Sequence, residues 1–152
     1  MLSNMDLVKK VFSQIESGKV KEAGEFLSDD FWFKGPSLMT LNKRQYLEAH
    51  EALVNALPDW KFNATGWQEE GDVVKMKVRI TGTHTRPLNY PFPGIQPGSP
   101  TNNRISLPDE PTQVTVRSGK IVSIEADTVP GGGIRGVFEQ LGIKPPVPVG
   151  AI

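Results

Sequence analysis

The sequence predicts an α+β fold in which a curved antiparallel sheet wraps, cone-like, around helices and leaves a small pocket between the two layers. Three observations carry this. Amphipathic helical segments come first, the hydrophobic period switches to alternation after Pro58, and the later alternating segments pair into two hairpins. A chain of 152 residues suffices for one complete core, and neither a repeat nor a second core is visible, so residues 1–152 read as one domain.

The first helix is predicted from Leu7, Val8, Val11, Phe12 and Ile15 at helical spacing, with Ser3 or Asn4 as its cap and Gly18 near its end. A short second helix starts near Val20 and is broken at Ser28-Asp29-Asp30, and Phe31-Trp32-Phe33 then read as a short extended piece stopped by Gly35 and Pro36. A third helix runs from Asn42 toward Leu57, placing Tyr46, His50, Leu53 and Leu57 on one face. Beyond Pro58, Trp60, Phe62 and Ala64 alternate with polar residues, and a second alternating run extends unbroken from Val73 to His84. The turn Glu69-Glu70-Gly71-Asp72 joins these two into a hairpin, and Ser118-Gly119 joins a second hairpin, Thr112–Arg117 with Lys120–Ala126. The proline-dense stretch from Arg86 to Pro111 reads as a long loop ordered across a sheet edge or pocket mouth. After Gly131-Gly132-Gly133 comes a short helix from about Ile134 to Leu141, stopped by Gly142, and then a Pro-rich tail.

Composition narrows the function classes. The 17 basic and 17 acidic side chains cancel, leaving no net field to hold nucleic acid or an anionic membrane. No cysteine is present, and two histidines without paired spacing do not suggest a metal site. Charges recurring from Asp6 to Lys10 and again at Glu16 interrupt any apolar segment near the start, so a cytoplasmic protein without a membrane span is expected.

The residue that draws attention is His84. It continues the parity of Val74, Met76, Val78, Ile80 and Gly82, so its imidazole is expected on the core side, where a pocket floor would place an acid–base group. The bland alternative is a histidine bonded to backbone near a strand end. Gly131 to Gly133 is not a phosphate loop, since it lacks the lysine and the strand-to-helix spacing. His50, on the apolar side of the third helix, reads as a packing histidine. Trp32, Phe33, Tyr46, Trp60 and Trp67 read as core, with Trp32 and Tyr46 also able to line a pocket for a flat ligand.

The segment Gly82-Thr83-His84-Thr85, the loop with Gly94-Ile95-Gln96-Pro97, the run Ser118-Gly119-Lys120-Ile121-Val122, and the closing Asp127 with Phe138-Glu139-Gln140-Leu141-Gly142-Ile143 resemble the SnoaL-like polyketide (ester) cyclases of the nuclear-transport-factor-2-like superfamily. The resemblance spans nearly the whole chain. It implies a cystatin-like cone, a homodimer formed through the outer sheet face, and cofactor-free aldol ring closure by an Asp and a His in an apolar cavity. His84 falls at the matching histidine position, whereas the aspartate position falls near Thr112, which cannot be a general base. Asp109 and Glu110 stand just before it in a proline-bounded turn. In the last hairpin, Glu125 and Asp127 lie on one face and Val122, Ile124 and Ala126 on the other; if the first face is internal, Glu125 or Asp127 can partner His84. Met76 and Thr112 join Trp32 and Tyr46 as candidate ligand contacts. Two functions follow: cofactor-free acid–base chemistry, by cyclisation or isomerisation, on an apolar carbonyl compound, or a non-catalytic ligand-binding or dimerisation module of the same fold.

Overall fold

In the computed structural model, residues 2–35, 40–91 and 99–143 are described. The segment Gly94-Ile95-Gln96-Pro97 and the Pro-rich tail lie outside them. Helix α1 (Asn4–Glu16) is capped by Ser3, whose hydroxyl accepts from the Asp6 N–H at 3.0 Å, and it buries Leu7, Val8, Val11, Phe12 and Ile15. After α2 (Val20–Gly24), strand β1 (Leu27–Lys34) carries the chain across the sheet. Strand β2 (Leu41–Asn42) leads into α3 (Lys43–Ala56), which opens on a reciprocal capping box between Asn42 and Gln45. Full burial of each large apolar side chain along α1 and α3 is worth roughly 1.5–3 kcal/mol, far more than intrinsic helix propensity supplies.

The strands β3 (Thr65–Glu70), β4 (Val73–Val78), β7 (Glu110–Arg117) and β8 (Lys120–Ala126) join β1 and β2 in one six-stranded sheet, ordered β2-β1-β8-β7-β4-β3. A second, two-stranded sheet pairs β5 (Thr81–Thr83) with β6 (Arg104–Ser106). Helix α4 (Gly133–Leu141) follows β8. All pairings are antiparallel except β1 with β8, which is parallel, so β8 bridges the early and late parts of the chain. Register shifts in the β1–β8, β3–β4 and β7–β8 pairs supply the irregularities that let a sheet curve. The β7–β8 turn has both Ser118 (φ 51°) and Gly119 (φ 74°) in the left-handed region, the geometry that matches strand twist in a two-residue loop.

Register fixes which side chains face the helices. One inner row runs Phe33, Ile124, Val114, Val74; the next runs Ala126, Thr112, Met76; the third pairs Glu110 with Val78. On the opposite face lie Lys34, Glu125, Gln113 and Lys75 in a row, all exposed.

Several elements differ from expectation for identifiable reasons. Trp60 to Ala64 is not a strand, because Asn63 takes a left-handed conformation (φ 47°) and its side chain donates to the Arg79 carbonyl at 2.9 Å; only Lys61 bridges to Thr81. The run Val73–His84 divides after Val78: the Arg79 N–H goes back to the Phe62 carbonyl, and beyond it the strand changes partner from β7 to β6. Helix α2 ends at Gly24, ahead of Ser28-Asp29-Asp30, which lie within β1 rather than at the end of the helix. The stretch from Arg86 to Pro111 contains β6 and the start of β7. Pro111 is accommodated inside β7 because it faces Asp127, just beyond the end of β8; its carbonyl accepts from the Asp127 N–H at 2.8 Å, and only the reciprocal bond is lost.

Candidate functional site

Between the inner sheet face and the helices lies a cavity of about 120 Å³. Its walls are mostly apolar and aromatic: Phe12 from α1, Phe33 from β1, Tyr46, His50 and Leu53 from α3, Trp60 and Phe62 from the connection to β3, and Ile134 and Val137 from α4. Ring contacts lock these walls together. Tyr46 lies 4.2 Å from His50 between centroids and meets Phe31 edge-on at 5.1 Å, Phe12 stacks on Phe62 at 4.6 Å, and Trp60 meets Phe62 edge-on at 6.1 Å.

Among the described residues, one carboxyl reaches this cavity. Glu110, only 4% exposed, is the first residue of β7, and its pairing with Val78 turns it inward. Oε1 accepts the Gly133 N–H at 3.0 Å, while Oε2 is buried without a partner among the described residues. Two effects oppose each other here. Burial penalises the carboxylate, whereas the Gly133 N–H, at the first turn of α4, favours it; burial dominates and pushes the pKa up to about 7. The glycine run before α4 has a structural cause. Gly131 (φ 80°) and Gly133 (φ 69°) occupy the left-handed region, and a Cβ on Gly132 would stand 2.7 Å from a Val129 methyl and 3.1 Å from the Glu110 carboxyl carbon. Glycines therefore allow the backbone to approach the carboxyl closely.

The other titratable wall groups stay neutral near pH 7. His50 donates from Nδ1 to the Tyr46 carbonyl at 3.0 Å, since a carbonyl can only accept; Nε2 of the neutral ring is thus an acceptor. Burial lowers its pKa to about 4. Burial also raises the Tyr46 and Tyr90 hydroxyls, keeping them protonated. A proton acceptor and donor near neutrality, in a largely apolar cavity, is the equipment for moving a proton next to a carbonyl.

Of the residues singled out from the sequence, Tyr46 and Thr112 line this cavity with Glu110. Met76 is buried beside Thr112 in the inner row but is not part of the cavity wall. His84 is fully buried, as its parity predicts, yet it sits past the strand break, outside the wall. Its Nδ1 accepts the Thr101 N–H at 3.2 Å and lies 3.1 Å from the Thr101 hydroxyl, so the neutral ring carries its proton on Nε2, which is buried without a partner among the described residues; burial lowers its pKa. Glu125 and Asp127 are exposed, on the sheet face opposite Ile124 and Ala126, and Trp32 is 37% exposed on that same outer side. The structure does not bring any of these four to the cavity.

Glu110 stands two residues from Thr112 on the same face, so a carboxyl is present one inward step from the position that the family resemblance assigns to an aspartate. The flanking Pro108 and Pro111 concealed it by reading as a turn. A signal was available: Glu110, Thr112, Val114 and Val116 share one parity, and extending that row backwards puts the carboxyl inside.

Comparison with known proteins agrees with this architecture. The fold is that of the nuclear-transport-factor-2-like and cystatin-like proteins. Similar solved structures include an NTF2-like protein of unknown function from Cytophaga hutchinsonii, 18% identical, covering 91% of this chain and 96% of that one, TM-score 0.61. IdmH, a candidate polyketide cyclase from Streptomyces antibioticus, is 18% identical over 82% of this chain and 91% of its own, TM-score 0.64. An LEH-like epoxide hydrolase from M. tuberculosis is 9% identical over 91% and 92%, TM-score 0.66. The SnoaL-like polyketide cyclase family model matches residues 6–126, and the chain belongs to that family. A search among curated proteins returns no match.

Proposed function

We propose that the protein is a cofactor-free enzyme that moves a proton on the carbon beside a carbonyl of an apolar small molecule, by aldol cyclisation or isomerisation, with Glu110 as the acid–base group. The observation behind this is the Glu110 carboxyl itself: buried in an apolar cavity, held by the Gly133 N–H through one oxygen, with the other oxygen unpaired and a pKa of about 7. As carboxylate, Oε2 takes the proton from the α-carbon, and the electron pair passes to the carbonyl oxygen. As carboxylic acid it returns the proton to carbon. Tyr46 offers the same cavity a neutral hydroxyl for the developing enolate oxygen.

Hydrogen–deuterium exchange at the α-carbon of ketones of one to three rings, followed by NMR in D₂O, tests this without the natural substrate. Exchange above buffer that falls at least roughly 100-fold in Glu110→Gln supports the assignment, a loss within the range of a general acid–base contribution. Equal exchange by the two proteins refutes it. A second reading, a non-catalytic binder of the same fold, draws on the remoteness of His84 from Glu110's cavity; binding of a ketone without exchange would favour it. A homodimer through the outer sheet face is part of the proposal, motivated by the polar row Lys34, Glu125, Gln113 and Lys75 with Trp32 beside it.

A further inference from the structure

The dimensions and chemistry of the cavity bear on what kind of compound it takes. At about 120 Å³ it is somewhat smaller than an engineered apolar cavity of about 150 Å³ that stays dry and binds benzene. Enlarging it toward α1 or α3 would require parting aromatic pairs that hold one another, Phe12 with Phe62 and Tyr46 with Phe31 and His50. The space therefore suits one ring with a short substituent, and a fused polycyclic skeleton exceeds it.

Charge narrows the class further. Among the described residues of the wall there is no lysine or arginine, and His50 is neutral. An anion brought inside would lose its hydration and meet no cation, besides facing the Glu110 carboxyl. An ammonium could meet Glu110, but the same apolar walls that hold this carboxyl largely protonated in mild acid penalise both ions of such a pair. A neutral carbonyl compound escapes both costs. It needs one hydrogen bond for its oxygen, which the protonated Glu110 or the Tyr46 hydroxyl can donate.

We infer that the site takes a neutral ketone of single-ring bulk and rejects fused polycyclic and ionised compounds. This rests on the reading of Glu110 given above, which itself sets no limit on substrate size.

Four probes at pH 7 test it: acetophenone, 2-acetylnaphthalene, benzoate and benzylammonium. Occupancy is read on the unmodified protein from the Trp60 indole and Gly133 amide signals in ¹H–¹⁵N spectra, both residues being part of the wall. Acetophenone is expected to move both signals with a dissociation constant at least roughly tenfold below those of the other three. Equal or tighter binding of 2-acetylnaphthalene overturns the size limit, and equal or tighter binding of either ion overturns the neutrality requirement. No movement of either signal up to saturating acetophenone overturns the class altogether. The exchange assay run on the same samples separates this inference from the one beneath it. Glu110-dependent exchange of 2-acetylnaphthalene would leave the acid–base role standing and remove the size limit. Acetophenone that binds selectively but never exchanges would leave the ligand class standing and remove the catalysis.

Discussion

At the scale of single residues, burial acts on Glu110 and His50 in opposite senses, and this has a measurable consequence. Glu110 has its folded pKa raised to about 7 from 4.5, so its share of stability is complete below pH 4.5 and lost as pH rises through 7. His50 has its folded pKa lowered to about 4 from 6.5, so its share is present above pH 6.5 and lost as pH falls toward 4. The two largely offset between these limits. In Glu110→Gln the alkaline loss disappears, and its stability relative to the unmodified protein should increase by roughly 3 kcal/mol between pH 4 and pH 8 in denaturant melts. A pH-independent difference would mean that Glu110 titrates normally. His84 gives a contrasting expectation: His84→Ala removes the bond from the Thr101 N–H and should cost roughly 1–3 kcal/mol of stability while leaving acetophenone affinity unchanged. Weakened binding in a variant that remains folded would return His84 to the site. Parity in the sequence was enough to bury His84, but parity says only which face a side chain leaves from. Whether it reaches the cavity depends on Arg79 and Ile80, where the strand changes partners, and no local pattern marks that change.

Among the elements, α4 owes its position to close backbone contacts that side chains would prevent. A Cβ on Gly136 would fall 2.1 Å from the Gly131 carbonyl oxygen, so Gly136→Ala must displace the helix or the turn before it; a loss of roughly 2–4 kcal/mol, read by thermal melting, is expected. Gly132→Ala is subtler. Its Cβ presses on Val129 and on the Glu110 carboxyl, weakening the bond from the Gly133 N–H that favours the carboxylate. The Glu110 midpoint, followed by ¹³C NMR of its side-chain carboxyl, should therefore rise; an unchanged midpoint would show that the Gly133 N–H does not tune it. Helices α1, α3 and α4 were legible because each has an apolar stripe with a stop or cap at its end: Ser3, the Asn42–Gln45 box, and Gly142 (φ 75°). The β7–β8 hairpin was legible from Ser118-Gly119. The two-stranded sheet was not, since Arg104-Ile105-Ser106 is too short to show a period and its partner β5 had merged into a longer alternating run.

For the molecule as a whole, the polar row on the outer sheet face predicts a dimer that charge can disrupt. Sedimentation at micromolar concentration should give twice the monomer mass, and Glu125→Lys, which places a third like charge in the row with Lys34 and Lys75, should shift it toward monomer. A monomeric unmodified protein would remove the claim. The parallel pairing of β1 with β8 has a different kind of consequence. Strand β8 lies between β1 and β7, so until it is in place the sheet exists as two fragments, β2-β1 and β7-β4-β3, without a shared edge. A ribosome making this chain delivers that joining strand late, after β1 to β7 and all of α1 to α3 have been made. Nascent chains halted before Lys120 should remain open to protease throughout, and those extended past α4 by the length of the exit tunnel should become resistant together, because closure waits on a contact between segments nearly a hundred residues apart.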